Sequence, residues 1–362
     1  MTASHPETAI RLLAVEYAAS SCFFRSSAGS GQRKALVQVT ERCNLHCVHC
    51  FVSSTREGTD ISLRQMRQVV LPRLRRACVD RLTLTGGEPF IHPEILEIVE
   101  AASRLGMSVG ICTNATCIRD RQIDALAEIG GVHVNVSFDG FRPSSHGRFR
   151  GDPASFDVTV QTTRKLAAAG LLQGLLSTPN ALTDEEDYRA LARFAVETGA
   201  TYLLMNPLSA FGRGVKSQHR LAADTATMLA IRRVVELESG ESVEVVPIRF
   251  PNEAKPLAGC IAGEIVYVFA DGAVAACPYL VFAARSPVSL YPDSEFLVGN
   301  IFEEEIAEPL DAYRFHERYK VGANSTCGSC ALSESCGKGC PAAVVAAGGT
   351  IGDRDVEVCP LP

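Results

Sequence analysis

The chain has 362 residues, of which 46% are hydrophobic and 21% are charged, and its formal net charge is −6 at pH 7. This composition supports a sizeable core and excludes collagen-like and disordered classes. The acidic balance gives no reason to expect a nucleic-acid partner. The unusual count is 14 cysteines. In a chain with a core of this size, metal binding or catalysis explains them better than disulfides, which indicates a reducing compartment.

Residues 1–34 are predicted to form an N-terminal helical segment. Ile10, Leu13, Ala14 and Tyr17 have the spacing of one apolar helix face. Charged residues interrupt this stretch, which argues against a signal peptide and for a cytoplasmic protein. We also find no uninterrupted apolar run of about 18 residues, so no membrane span is expected.

Residues 35–240 alternate between strand and helix patterns. The predicted strands are Ala35–Val39, Arg81–Thr85, Val109–Cys112, Val132–Phe138, Leu171–Leu176 and Tyr202–Met205. Helical patterns separate them, and capping boxes are predicted at Ser62 with Gln65 and at Thr183 with Glu186. Such alternation predicts a parallel α/β sheet, either open and doubly wound or closed into an incomplete β/α barrel. In both cases ligands bind at the carboxyl ends of the strands.

Residues 241–362 have a different pattern and are predicted to form a second domain. A short strand is expected at Val243–Val246, after the helix Thr225–Glu238. Further along, Ile265–Phe269 and Ala273–Ala276 flank Asp271-Gly272, which predicts a hairpin. The remaining sequence is rich in glycine and cysteine, so we place the boundary near residue 240.

The first cysteine group is Cys43, Cys47 and Cys50, with the spacing C-x3-C-x2-C directly after the first strand. Three thiolates so close together suit an iron–sulfur cluster or zinc. A zinc site would need a fourth ligand, which His46 or His49 could supply. A [4Fe-4S] cluster held by three cysteines would leave one iron open to a small molecule, and we favour this interpretation.

Three further motifs follow the next three strands. They are Gly86-Gly87-Glu88-Pro89, Thr113-Asn114 and Ser137-Phe138-Asp139-Gly140. Together with the cysteine group, their order resembles the radical S-adenosylmethionine (AdoMet) enzymes. The resemblance implies a partial (β/α)6 barrel of the TIM type. It also implies that AdoMet binds the open iron and is cleaved to a 5′-deoxyadenosyl radical, which abstracts a hydrogen atom from the substrate.

The resemblance also implies which residues contact AdoMet. They are Gly86, Gly87, Glu88, Asn114, Ser137 and Arg150. The glycines allow close backbone approach, and Glu88 can accept a hydrogen bond from the ligand ammonium. Asn114 and Ser137 are expected at the ribose or methionyl group, and Arg150 at the carboxylate. Alone, the glycine motif would be an ordinary strand-to-helix turn, and Arg150 could equally be a solvated loop residue.

Seven cysteines follow in the C-terminal part: Cys260, Cys277, Cys327, Cys330, Cys336, Cys340 and Cys359. Their spacing resembles the SPASM extension of radical AdoMet enzymes, which holds two auxiliary [4Fe-4S] clusters. The resemblance assigns Cys327, Cys330, Cys336 and Cys359 to an outer cluster, and Cys260, Cys277 and Cys340 to an inner one. The inner cluster then lacks a fourth cysteine and has an open or non-cysteine position. A zinc ribbon is the alternative, although seven cysteines do not divide into fours.

The sequence therefore predicts a radical AdoMet enzyme with three [4Fe-4S] clusters that cross-links, epimerises or oxidises a ribosomal peptide. A radical dehydrogenase or epimerase of a small molecule, such as an aminocyclitol or sugar, is the alternative. A non-enzymatic zinc or iron–sulfur protein is a third. Sulfatase maturation is disfavoured, because Pro278 and Tyr279 follow Cys277 where sulfatase-maturing members carry an aspartate base. The expected partner besides the substrate is a reducing electron donor such as flavodoxin or ferredoxin. Binding of a leader peptide would require a separate leader-peptide-binding protein or another surface of this chain. The residues themselves identify no catalytic acid, base or hydrogen donor.

Overall fold

The computed structural model describes residues 32–251, 255–260, 262–263, 265–359 and 361. The predicted helix around Ile10 and the cysteine Cys22 lie outside these residues. Among the described helices, none has the length and apolarity needed to cross a membrane.

One sheet organises the described part of the chain. Its strands are β1 (Arg33–Thr40), β2 (Val79–Gly86), β3 (Ser108–Thr113), β4 (Val132–Ser137), β5 (Leu172–Ser177), β6 (Tyr202–Met205), β7 (Glu244–Pro247), β8 (Ile265–Val268), β9 (Ala273–Ala275) and β10 (Leu297–Asn300). They lie in the order β10-β9-β8-β1-β2-β3-β4-β5-β6-β7. Strands β1 to β7 are parallel to their neighbours. The six predicted parallel strands are all present.

Helices connect the strands and cover the outer face of the sheet. They are α1 (Leu63–Gln65), α2 (Leu71–Arg76), α3 (Ile95–Arg104), α4 (Asp120–Ile129), α5 (Arg148–Arg150), α6 (Ser155–Ala168), α7 (Glu185–Glu197), α8 (Gly214–Leu221), α9 (Thr225–Ser239), α10 (Pro278–Ala284), α11 (Ala307–Ala312), α12 (Phe315–Arg318), α13 (Ser325–Ser329) and α14 (Pro341–Ala346). Short π-helical turns at Met66–Val70 and Pro143–Gly147 precede α2 and α5.

Local sequence explains most of these elements. Strand β1 is buried along nearly its whole length, as expected for a parallel strand covered on both faces. Helix α3 buries the predicted face of Ile95, Ile98, Val99 and Ala102 against the sheet. The capping box at Ser62 is confirmed, since its side chain accepts from the Gln65 amide and the Gln65 side chain accepts from the Ser62 amide.

The second predicted capping box is wrong by one residue. Helix α7 is capped by Asp184, whose Oδ1 accepts a hydrogen bond from the Asp187 amide at 2.9 Å. Thr183 instead donates its hydroxyl to the Asn180 carbonyl at 2.6 Å. Both residue types favour caps. Thr183 belongs to the turn before the helix, and Asp184 forms an additional ion pair with Arg142.

The sheet continues across the predicted domain boundary. Strand β7 pairs with β6, and β8 pairs in parallel with β1 at the opposite side of the β1–β7 series. Strand β9 then pairs antiparallel with β8 on one side and with β10 on the other. The β8–β9 turn contains Gly272 at a φ of 86°. The predicted Asp271-Gly272 hairpin is therefore present. The cysteine-rich region is thus attached directly to the strand that leads into the first cysteine group.

Candidate functional site

A cavity that the predicted motifs share lies at the carboxyl ends of the parallel strands. It has a volume of about 230 Å³, and the Cys43, Cys47 and Cys50 side chains line one part of it. Five of the six residues that the sequence associates with AdoMet also line it: Gly86, Gly87, Asn114, Ser137 and Arg150. Parallel strands bring these separate motifs together because their carboxyl ends share one edge of the sheet.

The loop that carries the three cysteines is held from outside by Arg213. The Arg213 guanidinium donates to the carbonyls of Cys47 and Ser54, each at 2.7 Å. The Arg213 amide donates to the Cys50 carbonyl at 3.0 Å. Ser217 of α8 adds a bond from its hydroxyl to the Val48 carbonyl at 2.9 Å. Arg213 and the first turn of α8 therefore support the cysteine loop.

The two glycines after β2 are required by the end of β1. A Cβ on Gly86 would lie 2.3 Å from the Thr40 carbonyl oxygen, and one on Gly87 would lie 2.1 Å from that of Arg42. Gly86 also has a φ of 150°, which side chains disfavour. These glycines let β2 approach the start of the cysteine loop, in addition to lining the cavity.

Glu88 lies behind the cavity wall rather than in it. Its carboxylate is fully buried and accepts hydrogen bonds from the Thr113 hydroxyl and the Asn114 amide, each at 2.7 Å. It also accepts from the Phe90 amide at 3.1 Å and caps the short 3-10 turn there. Glu88 thus connects two of the motifs, and its contact with a ligand ammonium stays a prediction.

Arg150 is buried in the cavity wall, so the solvated-loop alternative is wrong. Its Nη2 lies 2.8 Å from Asp139 Oδ2, and both side chains are almost completely buried. The Arg150 Nε is buried without a hydrogen-bond partner in the structure. Burial alone would raise the pKa of Asp139, but the charge on Arg150 and its other polar neighbours hold it below its usual value. Arg150 therefore presents a charge-balanced guanidinium with a spare donor.

His49 completes this buried group. Its ring stacks on Phe149 at 4.4 Å between centroids, and its Nε2 lies 3.6 Å from Asp139 Oδ2. Burial lowers the pKa of His49 to about 4, with Asp139 opposing the shift. The imidazole is therefore neutral at neutral pH.

The thiols of the first group fit an iron–sulfur cluster by their donor chemistry. Burial raises the pKa of Cys43 to about 11 and that of Cys47 to about 12. Soft thiolate ligands on one face of a cavity suit such a cluster, which would stabilise the deprotonated sulfurs. Within the described residues, no three His, Cys, Asp or Glu side chains converge as around a single ion.

The C-terminal cysteines gather in two further places. Cys260, Cys277 and Cys340 line a cavity of about 80 Å³, which we call the inner cavity. Cys327, Cys330, Cys336 and Cys359 line another of about 30 Å³, the outer cavity. The structure thus groups the seven thiols in the same three-and-four division as the sequence resemblance, and their ligand roles stay predictions.

Tyr279 stands between the main and inner cavities and lines both. Its ring stacks on Phe211 at 5.6 Å, and its hydroxyl accepts from Asn206 Nδ2 at 3.4 Å. Phe211 and Asn206 line both cavities as well. Tyr279 therefore packs at the boundary of the two sites.

The remaining described cysteines differ in position. Cys78 is exposed, whereas Cys117 is half-buried and packs against the core. Cys112, on β3, lines the main cavity. Sequence reasoning missed Arg213 and the Asp139–Arg150 pair. Asp139 lay within a quoted motif, but no local signal marks Arg213.

The comparison with protein families matches these observations. The radical SAM superfamily model covers residues 37–195, which include the cysteine loop and the strands β2 to β5. These residues are a radical SAM domain. Such a domain implies AdoMet and one [4Fe-4S] cluster.

Individual relatives extend over more of the chain. The mycofactocin maturase MftC of Mycobacterium tuberculosis is 29% identical over 316 residues, which cover 84% of this chain and 77% of MftC. AlbA of Bacillus subtilis, a biosynthesis protein of the antilisterial bacteriocin subtilosin, is 28% identical and covers 80% of this chain and 62% of AlbA. The solved structure of Streptococcus suis SuiB bound to the precursor peptide SuiA has a TM-score of 0.70 at 16% identity, over 91% of this chain and 76% of SuiB. This last likeness concerns the fold and confirms the predicted α/β architecture.

Proposed function

We propose that this chain is a radical SAM enzyme that modifies a ribosomally made peptide by cross-linking, epimerising or oxidising a side chain. MftC and AlbA, which match most of the chain, are named for maturation of mycofactocin and biosynthesis of a bacteriocin. The observation that carries the proposal is that the two cavities are neighbours and share part of their walls. The main cavity, with its three thiols and Arg150, adjoins the inner cavity through Asn206, Phe211 and Tyr279.

In this proposal the main cavity binds the cluster and AdoMet. Cys43, Cys47 and Cys50 hold the cluster, and Asn114 and Ser137 contact AdoMet from the strand ends. With an electron from a reductant, the cluster and AdoMet supply a 5′-deoxyadenosyl radical that abstracts a hydrogen atom from the substrate. The flavodoxin or ferredoxin that would deliver the electron belongs to the proposal as well.

Arg150 orients the ligand in this proposal, because its buried Nε has no hydrogen-bond partner among the described residues. Glu88 acts through the strand ends, since its carboxylate fixes the Thr113 hydroxyl and the Asn114 amide. Gly86 and Gly87 keep β2 close to the cysteine loop. Ionic and hydrogen-bonding groups of this kind place the substrate and ligand before reaction.

We further propose that residues 241–362 form an auxiliary-cluster domain. The inner cavity would hold a [4Fe-4S] cluster on Cys260, Cys277 and Cys340, with one position open or taken by another ligand. The four thiols of the outer cavity would hold a second cluster. The donor chemistry supports this, because both sets consist of thiols around small cavities.

The metal content tests the cluster assignment. Anaerobically reconstituted protein is expected to contain about 12 iron and 12 sulfide per chain, the content of three [4Fe-4S] clusters. Cys277→Ala and Cys336→Ala are each expected to remove about four irons, while the matched control Cys78→Ala, an exposed thiol outside the three groups, leaves the count unchanged. Stoichiometric zinc without iron would contradict the proposal.

The substrate class is tested with short peptides encoded beside the gene. Such a peptide, incubated with the reduced enzyme and AdoMet, is expected to change mass in step with 5′-deoxyadenosine formation. Turnover of aminocyclitols or sugars, with every neighbouring peptide unmodified, would overturn the peptide proposal and support the small-molecule alternative.

A further inference from the structure

Arg249 occupies an unusual position beside the inner cavity. It follows β7 and lines this cavity together with Cys260, Cys277 and Cys340. Its side chain is only 9% exposed. Its backbone has a φ of 49°, a left-handed conformation that is uncommon for residues other than glycine. Such conformations persist where the surrounding structure demands them.

The Nη2 and Nε atoms of the Arg249 guanidinium have different surroundings. Its Nη2 forms an ion pair with Glu357 and lies 3.4 Å from Asp355 Oδ1. Asp355 Oδ2 in turn accepts a hydrogen bond from the Cys340 amide at 3.0 Å. The Arg249 Nε, by contrast, is buried and has no hydrogen-bond partner in the part of the chain that the structure describes. A buried N–H without a partner is unfavourable, which points to an acceptor at the cavity.

The electrostatic surroundings agree with this geometry. Burial alone would lower the pKa of Arg249, but the negative groups at Cys340, Glu357 and Asp355 outweigh this effect and raise the pKa above its usual value. The side chain therefore keeps its charge. A cluster on three thiolates brings additional negative charge and sulfur acceptors to the cavity. The reduction potential of such a cluster depends on net charge, burial and hydrogen bonds to its sulfurs.

We infer, on the basis of the proposed inner cluster, that Arg249 Nε donates a hydrogen bond to a sulfur of that cluster. The positive charge of Arg249 then raises the reduction potential of the cluster. Reduction adds an electron, so a fixed positive charge nearby favours the reduced form. Asp355 fixes both Arg249 and the Cys340 amide, and Glu357 partly offsets the positive charge.

The test uses the full chain with Cys43, Cys47 and Cys50 replaced by alanine, so that the AdoMet-binding cluster does not contribute. Iron analysis first establishes that about eight irons remain, the content of two clusters. Redox titration followed by electron paramagnetic resonance then gives a midpoint for each cluster. Arg249→Gln is expected to move one midpoint to a more negative potential and leave the other unchanged, and Arg249→Lys is expected to restore most of the shift.

The variant Glu357→Gln distinguishes an effect of the Arg249 charge on the midpoint from a merely structural role of Arg249. Both Arg249→Gln and Glu357→Gln break the same ion pair, so a structural role would move the midpoint in the same direction in both. The inference instead predicts opposite signs, with Glu357→Gln moving the same cluster to a more positive potential. If Arg249→Gln does not retain the cluster, the sign of the Glu357→Gln shift decides the inference.

Three outcomes would overturn the inference. An unchanged midpoint in Arg249→Gln at full iron content would refute the role of Arg249 and leave the clusters in place. Shifts of the same sign in both variants would also refute it. Iron content too low for the auxiliary clusters in the cysteine-substituted parent would overturn the cluster proposal together with the inference.

Discussion

Replacing Arg213 by methionine is expected to loosen the cysteine loop without touching a cysteine. Methionine retains much of the apolar stem of arginine but removes the donors that bind the Cys47 and Ser54 carbonyls. A hydrogen bond to a charged group contributes about 1.5–3 kcal/mol. Two such bonds, in a half-buried site where water replaces part of the loss, give an expected destabilisation of about 3 kcal/mol.

The free energy of unfolding of the metal-free protein, measured with urea, checks this magnitude. The matched control is Arg104→Met, because the Arg104 side chain is 72% exposed and forms a surface pair with Glu100 one helical turn away. Surface pairs of this kind contribute about 0.3–0.5 kcal/mol. Reconstituted Arg213→Met is also expected to lose iron from the first cluster faster on dilution into chelator than the control.

The reasoning fails if Arg213→Met unfolds within about 1 kcal/mol of the wild type, since that is less than a single charged hydrogen bond. It also fails if this variant retains iron as long as the Arg104 control. Either result would mean that the loop is held by its own backbone bonds, such as that from the Cys43 amide to the Thr55 carbonyl.

Two further substitutions, each with a matched control variant, test the fold. Asp184→Ala is expected to cost about 1 kcal/mol as a lost helix cap, whereas Glu186→Gln is expected to be nearly neutral; urea unfolding measures both. Burial would raise the pKa of Asp184, but its backbone and arginine hydrogen bonds hold it lower, so its contribution is present above about pH 4 and disappears as the pH falls further. A deficit in Asp184→Ala that stays constant down to pH 2 in the metal-free protein would contradict this. Gly174→Ala is expected to cost about 1–3 kcal/mol, because the new Cβ would lie 2.4 Å from the Tyr202 ring, while Gly352→Ala meets only ordinary contacts. Equal stability of these two variants would show that the Tyr202 ring moves freely.

The strands and the meeting of the motifs could be predicted because their signals are local. Short β-branched runs mark the strands, and parallel topology brings the residues after β2, β3 and β4 to one edge. The division of the C-terminal cysteines into an inner and an outer set rests on the resemblance to the SPASM extension, because no local signal separates Cys340 from Cys336. Their division between the inner and outer cavities in the structure follows the same grouping.

The contacts that hold the site could not be predicted, since they join distant parts of the chain. Arg213 binds carbonyls on a loop that lies over 150 residues earlier, and nothing in its own surroundings indicates this. Arg150 could have been solvated, and only the fold pairs it with Asp139. Similarly, Glu88 was expected to face a ligand, but backbone and hydroxyl donors from the β3 end surround it.

Formation of 5′-deoxyadenosine tests the central claim most directly. Reconstituted protein, incubated anaerobically with AdoMet and a strong reductant, is expected to produce it. Cys43→Ala is expected to abolish the product, whereas Cys78→Ala is expected to leave it unchanged. Fully iron-loaded protein that forms no 5′-deoxyadenosine, or equal formation by Cys43→Ala, would contradict the assignment of the first cysteine group and the chemistry built on it.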